Sequence, residues 1–293
     1  MNGESMRNEV QTPSQALKAV VFDWAGTLVD FGSLAPMGAF VTLFQAYGVD
    51  ITVDEARIPM GLPKWHHIQA LGRQPRIAQA WLDALGRPFS RADVDALHED
   101  FMPMSARSAA EHAQCIPGTL GVIRHLRERG LKVGSTTGYT RFIMAQVLPL
   151  AQQQGLVVDN LVCADDLVEG RPGPLGMYRC FLDLQVWPAS SVVKVDDTVP
   201  GLMEGRHAGC WTVGVAASGN AAGFSLQQWL DLGPAQRQQT IQRAHLTLEQ
   251  AQPDFIIDSV AELPPVIDHI ETLMREGIGP RTLLNAGGAG NQA

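Results

Sequence analysis

Val21-Phe22-Asp23-Trp24-Ala25-Gly26-Thr27-Leu28 is the stretch whose reading decides the fold. The run Ala19-Val20-Val21-Phe22 is short, continuous and apolar, as expected of a strand buried on both faces in a parallel sheet. It ends in a carboxylate, Asp23, followed by a turn that contains Gly26. Open parallel sheets bind ligands beyond the carboxyl ends of their strands, so Asp23 stands at the ligand edge. Taken alone, the Asp-x-x-Gly-Thr turn could also be a strand-to-helix connection with a capping aspartate.

Working outward, similar apolar runs occur at residues 131–137, 161–164, 192–195 and 210–215, with 255–257 as a candidate last strand. Amphipathic segments at 119–129, 141–154 and 200–208 separate them, each closed by a glycine stop (Gly130, Gly155, Gly209). A helical pattern runs over 227–252, and a last helix is expected over about 260–275. Strands alternating with helices predict an α/β fold, a doubly wound parallel sheet covered on both faces. Between about residues 32 and 112 the alternation stops and the pattern is helical throughout. Thr52-x-x-Glu55 is a capping-box signature there, and Ser90-x-x-Asp93 a weaker relative. The expected organisation is a flexible lead-in over 1–16, a core domain over 17–32 and 112–277, an inserted all-helical cap domain over 33–111, and a disordered tail over 278–293.

Of the 293 residues, 45% are hydrophobic and 18% charged, a globular composition long enough for a well-buried core. The net charge of −8 and the lack of a Lys/Arg run argue against a nucleic-acid or anionic-membrane surface. Cys115, Cys163, Cys180 and Cys210 form no CxxC pair, so they read as small packed residues. No apolar run reaches the length of a membrane span, and the polar start lacks the apolar stretch of a signal peptide. A cytoplasmic location is the default expectation.

The chemistry lies at successive strand ends. Asp23 ends the first. Ser135-Thr136-Thr137-Gly138 ends the second with hydroxyls and glycine, suited to phosphoryl oxygens. Arg171 comes after the third, and Lys194-Val195-Asp196-Asp197 ends the fourth in carboxylates. Carboxylate, hydroxyl, cation and carboxylate in that order describe metal-assisted phosphoryl transfer to an aspartate.

The same order resembles the haloacid-dehalogenase superfamily over roughly residues 17–275. The resemblance implies that Asp23 is the nucleophile, that Mg²⁺ is held by Asp23, the Ala25 carbonyl and Asp197, that Thr137 and the Gly138 N–H bind the phosphoryl group, and that Arg171 balances charge. Ala25 is informative, because many phosphatases of this kind carry there an aspartate that protonates a departing alkoxide. Within the superfamily, Asp23-Trp24-Ala25-Gly26-Thr27, the segment 59–67 with Lys64, residues 134–140 and residues 208–215 look like the phosphonoacetaldehyde hydrolase family. That family's chemistry explains an alanine at 25. The resemblance implies that Lys64 condenses with the substrate aldehyde, so that the iminium withdraws the electrons of the P–C bond and no oxygen leaving group needs a proton. The resemblance further implies His67 as proton shuttle, Met60 and Tyr139 as pocket residues, and a homodimer acting on a small phosphonate. His66 is expected to point away from Lys64 if the helix is regular.

Lys64 must be neutral to attack. Free lysine is neutral in only about one molecule in 2,500 at pH 7, so burial beneath the cap near Arg171 has to lower its pKa toward roughly 7–8. Two positions depart from the pattern. Gly201 stands where many superfamily members carry a further aspartate, and Asp196 where a glycine often sits; Asp196 is expected to compensate. Residues 173–176 lack a Trp-Met pair associated with the family, which bears on pocket shape. The alternatives are a phosphatase of the superfamily acting on another small phosphorylated metabolite, and an inactive phosphate-binding relative.

Overall fold

The computed structural model describes residues 16–60 and 62–281. The lead-in and the tail therefore fall almost wholly outside the described residues. At the near end of the tail, the Arg281 N–H donates to Asp254 at 2.8 Å.

Five strands, β1 (Ala19–Phe22), β2 (Lys132–Ser135), β3 (Val192–Asp196), β4 (Trp211–Val215) and β5 (Phe255–Ile257), form one parallel sheet in the order β2-β1-β3-β4-β5. Val20 lies level with Val133 on one side and Val193 on the other. Every residue of β1 is fully buried, which is why an unbroken apolar run is needed there. The order reverses between β1 and β3, and the crevice beyond the carboxyl ends at that switch point is where such folds hold ligands.

Between β1 and the rest of the sheet come α1 (Leu34–Ala46), α2 (Val53–Arg57), α3 (Lys64–Gly72), α4 (Pro75–Leu85) and α5 (Arg91–Glu111). They form a helical cap with its own core, in which Phe40, Leu43, Phe44, Trp81, Leu97 and Phe101 are fully buried. Each such side chain contributes about 1.5–3 kcal/mol. The helix starts are set locally. Thr52 and Glu55 cap α2 reciprocally, the Ser90 N–H donates to Asp93 at the start of α5, and Asp30 accepts from the N–H groups of Leu34 and Ala35 at the start of α1. The long α5 packs on α1 and α3 and also on α7 (Arg141–Gln153) of the core.

The core helices before and after α7 are α6 (Thr119–Glu128), α8 (Leu175–Leu184), α9 (Val199–His207), α10 (Leu226–Asp231), α11 (Pro234–Leu248) and α12 (Leu263–Arg275). No described helix is long and apolar enough to cross a membrane.

Two expectations change. Residues 161–164 do not form a strand; they run beside β2 with a single bridge, Thr136 to Val162. The side chains of Asp159 and Asn160 accept from the N–H groups of Val133 and Ser135, replacing part of a regular ladder. The helical pattern over 227–252 is split into α10 and α11 at Gly233-Pro234, because proline can begin a helix but cannot continue one.

Candidate active site

Asp23 comes directly after β1, and its N–H donates to the Val195 carbonyl, so the sheet itself fixes where the carboxylate begins. The chain then turns tightly, with Leu28 and Val29 N–H groups on the Trp24 carbonyl. Gly26 sits at φ +87°, and a Cβ there would lie 2.2 Å from Asp197 Oδ2. Only glycine provides both the conformation and the clearance. This close approach brings the turn that carries Ala25 against Asp197.

Asp23, Asp196 and Asp197 are buried, and each offers a carboxylate oxygen within 4.8 Å of the others. Arg171 converges on them from the loop before α8. Its Nη2 lies 2.8 Å from Asp23 Oδ1, its Nη1 3.4 Å from Asp196 Oδ2, and its Nε donates to Glu204 Oε2 at 3.1 Å. Lys194, fully buried in β3, reaches Asp196 at 3.1 Å and Glu204 at 3.4 Å. The Thr136 hydroxyl joins the two cations. It accepts from Lys194 at 2.6 Å and Arg171 at 2.9 Å and donates to Glu204 at 2.8 Å, using one donor and both lone pairs.

Four carboxylates thus face two fixed cations. Burial pushes Asp23 up to about 6, and Asp196 adds to the rise while Arg171 and Lys194 oppose it. Burial, Asp23 and Asp196 together push Asp197 well above the carboxylate range. Asp196 is buried too, but Arg171 and Lys194 outweigh that and hold it below its ordinary value. Three clustered carboxylates are hard oxygen donors with excess negative charge, so the residues fit a hard divalent cation.

Lys64 comes from the cap as the first residue of α3 and is 7% exposed. Its ammonium lies 5.7 Å from the ring centroids of Phe40 and Tyr139. Burial lowers its pKa to about 8, against a smaller upward pull from Asp23, and Arg171 lowers it further. The positive end of α3 acts in the same direction. His67 lies one turn on, stacked on Phe40 at 4.0 Å, with Nε2 2.9 Å from the Ala56 carbonyl. Burial and then Lys64 push His67 down to about 3, so the ring is neutral at ordinary pH. A carbonyl facing Nε2 requires the proton there, which leaves the partnerless Nδ1 as a free lone pair.

A cavity of about 440 Å³ opens between cap and core, walled by Pro63, His66, Thr137, Gly138 and Arg171 among others. A Cβ on Gly138 would meet nothing within 4 Å, so that backbone faces open space. Thr137 Oγ1 accepts from the Tyr139 N–H, and Tyr139 is buried with its hydroxyl unpartnered. Met60 lies elsewhere, on a cavity of about 710 Å³ beside Asp197 and Arg57. His66, expected to point away from Lys64, is exposed and edges the cavity that Thr137 and Arg171 line.

Sequence reading assigns no role to Lys194 or Glu204, and it places Thr136 among the hydroxyls suited to phosphoryl oxygens, whereas that hydroxyl is engaged by Lys194, Arg171 and Glu204. A lysine within the apolar run of β3 was the available signal, since a charge inside a buried strand needs a partner.

The haloacid dehalogenase-like hydrolase family model matches residues 17–209. The chain is 47% identical over 264 residues to the phosphonoacetaldehyde hydrolase of Bordetella pertussis, covering 90% of this chain and 96% of that one. It is 43% identical over 266 residues to the phosphonoacetaldehyde hydrolase of Vibrio cholerae, covering 90% and 98%. The crystal structure of a phosphonoacetaldehyde hydrolase-like protein from Oleispira antarctica superposes with a TM-score of 0.89 at 40% identity, covering 91% of this chain and 97% of that one.

Proposed function

The chain belongs to the phosphonoacetaldehyde hydrolase family of the haloacid dehalogenase-like hydrolases, and from that premise we propose that it hydrolyses the P–C bond of phosphonoacetaldehyde to acetaldehyde and phosphate. The observation that carries the reading is the state of Lys64, a buried cap lysine with a pKa near 8, close enough to Asp23 and Arg171 to feel both charges.

In this mechanism, neutral Lys64 attacks the aldehyde carbon to give a carbinolamine, which takes up a proton and loses water to form an iminium. An Asp23 oxygen bonds to phosphorus as the P–C bond breaks, and the P–C electron pair moves into the iminium to give an enamine. The products are an aspartyl phosphate and a lysine-bound enamine. The enamine carbon takes a proton, and water releases acetaldehyde and regenerates Lys64. A second water frees phosphate from Asp23. His67 Nδ1, the unpartnered lone pair one turn from Lys64, relays protons in the condensation steps, its pKa near 3 letting it pass a proton on without holding it. Thr137 and the Gly138 N–H hold the phosphoryl oxygens, Arg171 keeps Asp23 ionised and balances the transferred charge, Tyr139 shapes the pocket, and Met60 borders the site from the neighbouring cavity beside Asp197. Asp23, the Ala25 carbonyl and Asp197 would hold Mg²⁺, which when bound neutralises charge on the phosphoryl oxygens and the nucleophile. A cytoplasmic homodimer belongs to the same proposal.

The test is acetaldehyde release from phosphonoacetaldehyde, with and without Mg²⁺, in wild type and Lys64→Arg. Mg²⁺-dependent release abolished in the variant is expected. Hydrolysis of a phosphate ester that survives Lys64→Arg, with no release from the phosphonate, would replace this reading by a phosphatase.

A further inference from the structure

Arg57, the last residue of α2, makes no ion pair within 4 Å among the described residues and spends its guanidinium on oxygen acceptors. Nη1 donates to the carbonyls of Gly32 at 3.1 Å and Asn220 at 2.9 Å and to Asn220 Oδ1 at 2.9 Å; Nη2 donates to the Gly223 carbonyl at 3.2 Å. Gly32 is where the core chain enters the cap, and Asn220 and Gly223 lie in the core loop after β4. A Cβ on Gly223 would lie 2.8 Å from Arg57 Cζ, so the loop fits closely round the planar group. Asp30, Asp54 and Asp197 act on the guanidinium from beyond 4 Å, but its hydrogen bonds all go to these four oxygens, so its contacts fix geometry as well as charge.

The loop it grips also touches the reaction centre. The Asn220 N–H donates to Asp197 Oδ2 at 2.7 Å. Ser218 Oγ donates to the Gly26 carbonyl at 2.8 Å, and the Ser218 carbonyl accepts from the Gly32 N–H at 2.7 Å. A Cβ on Gly219 would lie 2.6 Å from Asp197 Cβ. One short loop therefore contacts the cap entry, the nucleophile turn and Asp197. On the cap side, Met60 and Lys64 come within seven residues of Arg57, and the Met60 N–H is bonded to the Arg57 carbonyl.

We propose that Arg57 is a positioning residue that latches the cap onto the 217–223 loop, so that Lys64 reaches its working place only when the Asn220 amide is set against Asp197. The kinetic part of this inference rests on the proposed hydrolase activity; the structural part does not. With the latch released, the cap spends more time open, and Lys64 loses the dry surroundings that favour its neutral form.

The experiment compares full-length wild type, Arg57→Lys, Arg57→Ala and Asn220→Ala. Amide hydrogen exchange is measured by peptide, with kcat and KM for acetaldehyde release in parallel. Expected are faster exchange on both sides of the latch, in α2 and in 217–223, with the sheet strands unchanged, and a fall in kcat of about 10–100-fold. Lysine does not rescue, because a single ammonium cannot meet four separated acceptors. Asn220→Ala, which removes one acceptor and leaves the amide on Asp197, gives a smaller effect in the same direction. A purely local brace would loosen α2 alone and leave kcat within twofold, and that result overturns the proposal. If Arg57→Ala does not fold, Arg57→Lys and Asn220→Ala decide by the same readouts. If wild type releases no acetaldehyde, the functional reading fails while the exchange pattern still judges the latch.

Discussion

The Asp196 carboxylate fills the space into which a side chain at position 201 would grow: a Cβ on Gly201 would lie 2.0 to 2.3 Å from all three of its carboxyl atoms. The two positions are therefore mutually exclusive. An acid at 196 requires glycine at 201, and the expectation to be tested is that Asp196, at the end of β3, does the work of the aspartate that many members of the superfamily carry at the position of Gly201. Asp196 is held by the Thr198 N–H at 3.0 Å and hydroxyl at 2.8 Å, and by Lys194 and Arg171. Asp196→Asn is expected to weaken Mg²⁺ binding about 10–100-fold by calorimetry, as loss of outer partners does at metal sites. Gly201→Asp alone should fold poorly, and the double variant Asp196→Gly/Gly201→Asp should recover both fold and part of the affinity. Unchanged Mg²⁺ affinity in Asp196→Asn would show that the exchange is only one of packing.

Lys64 sets a pH dependence. With a pKa near 8, about a tenth of the molecules carry the neutral amine at pH 7, against about one in 2,500 for a free lysine. Since the proposed reaction uses the deprotonated form, kcat/KM should rise tenfold per pH unit between about 6, below which Asp23 also protonates, and about 8, and level off above it. His67, pushed down to about 3, contributes no limb between pH 5 and 9. A profile flat from pH 6 to 9 would mean that imine formation at Lys64 does not limit the reaction.

Arg171 is the hub of the charge cluster. Removing it leaves Asp23, Asp196 and Glu204 with Lys194 as their remaining close cation. Breaking a buried pair by deleting one partner costs about 3–5 kcal/mol. Arg171→Ala should lose stability of that order by urea denaturation at pH 7, and much of the loss should vanish toward pH 4, where the stranded carboxylates can protonate. Loss independent of pH would assign the cost to packing.

The parts of this site that were legible in the sequence are those lying where a strand ends. Asp23, Thr137 and Asp197 could be placed because a buried apolar run has a visible end, and the sheet then fixes the position of the next few residues. Arg171 was singled out by way of a strand over 161–164 that the Asp159 and Asn160 side chains prevent. Lys194 and Glu204 escaped because their reason for being buried is each other and Arg171, contacts between positions far apart in the chain. Arg57 left no trace, since its partners are mostly backbone carbonyls, which every residue has.

The same burial that favours the neutral form of Lys64 has a cost in stability, with a definite pH window. The folded chain holds Lys64 at about 8, against 10.5 for an ordinary lysine. Between these values the unfolded chain keeps a proton that the folded chain has lost, so this group makes stability rise with pH across the window. Below about pH 8 the penalty is complete, on the order of 3 kcal/mol from the shift at about 1.4 kcal/mol per unit. Lys64→Met keeps a long apolar side chain against Phe40 and Tyr139 and removes the buried charge. It should abolish acetaldehyde release yet be more stable than wild type at pH 7, with the gap narrowing as the pH approaches about 10. Equilibrium urea unfolding of both proteins across that range reads the difference directly. A variant that is less stable than wild type at pH 7 would mean that the Lys64 ammonium is held by compensating contacts and is not strained toward neutrality.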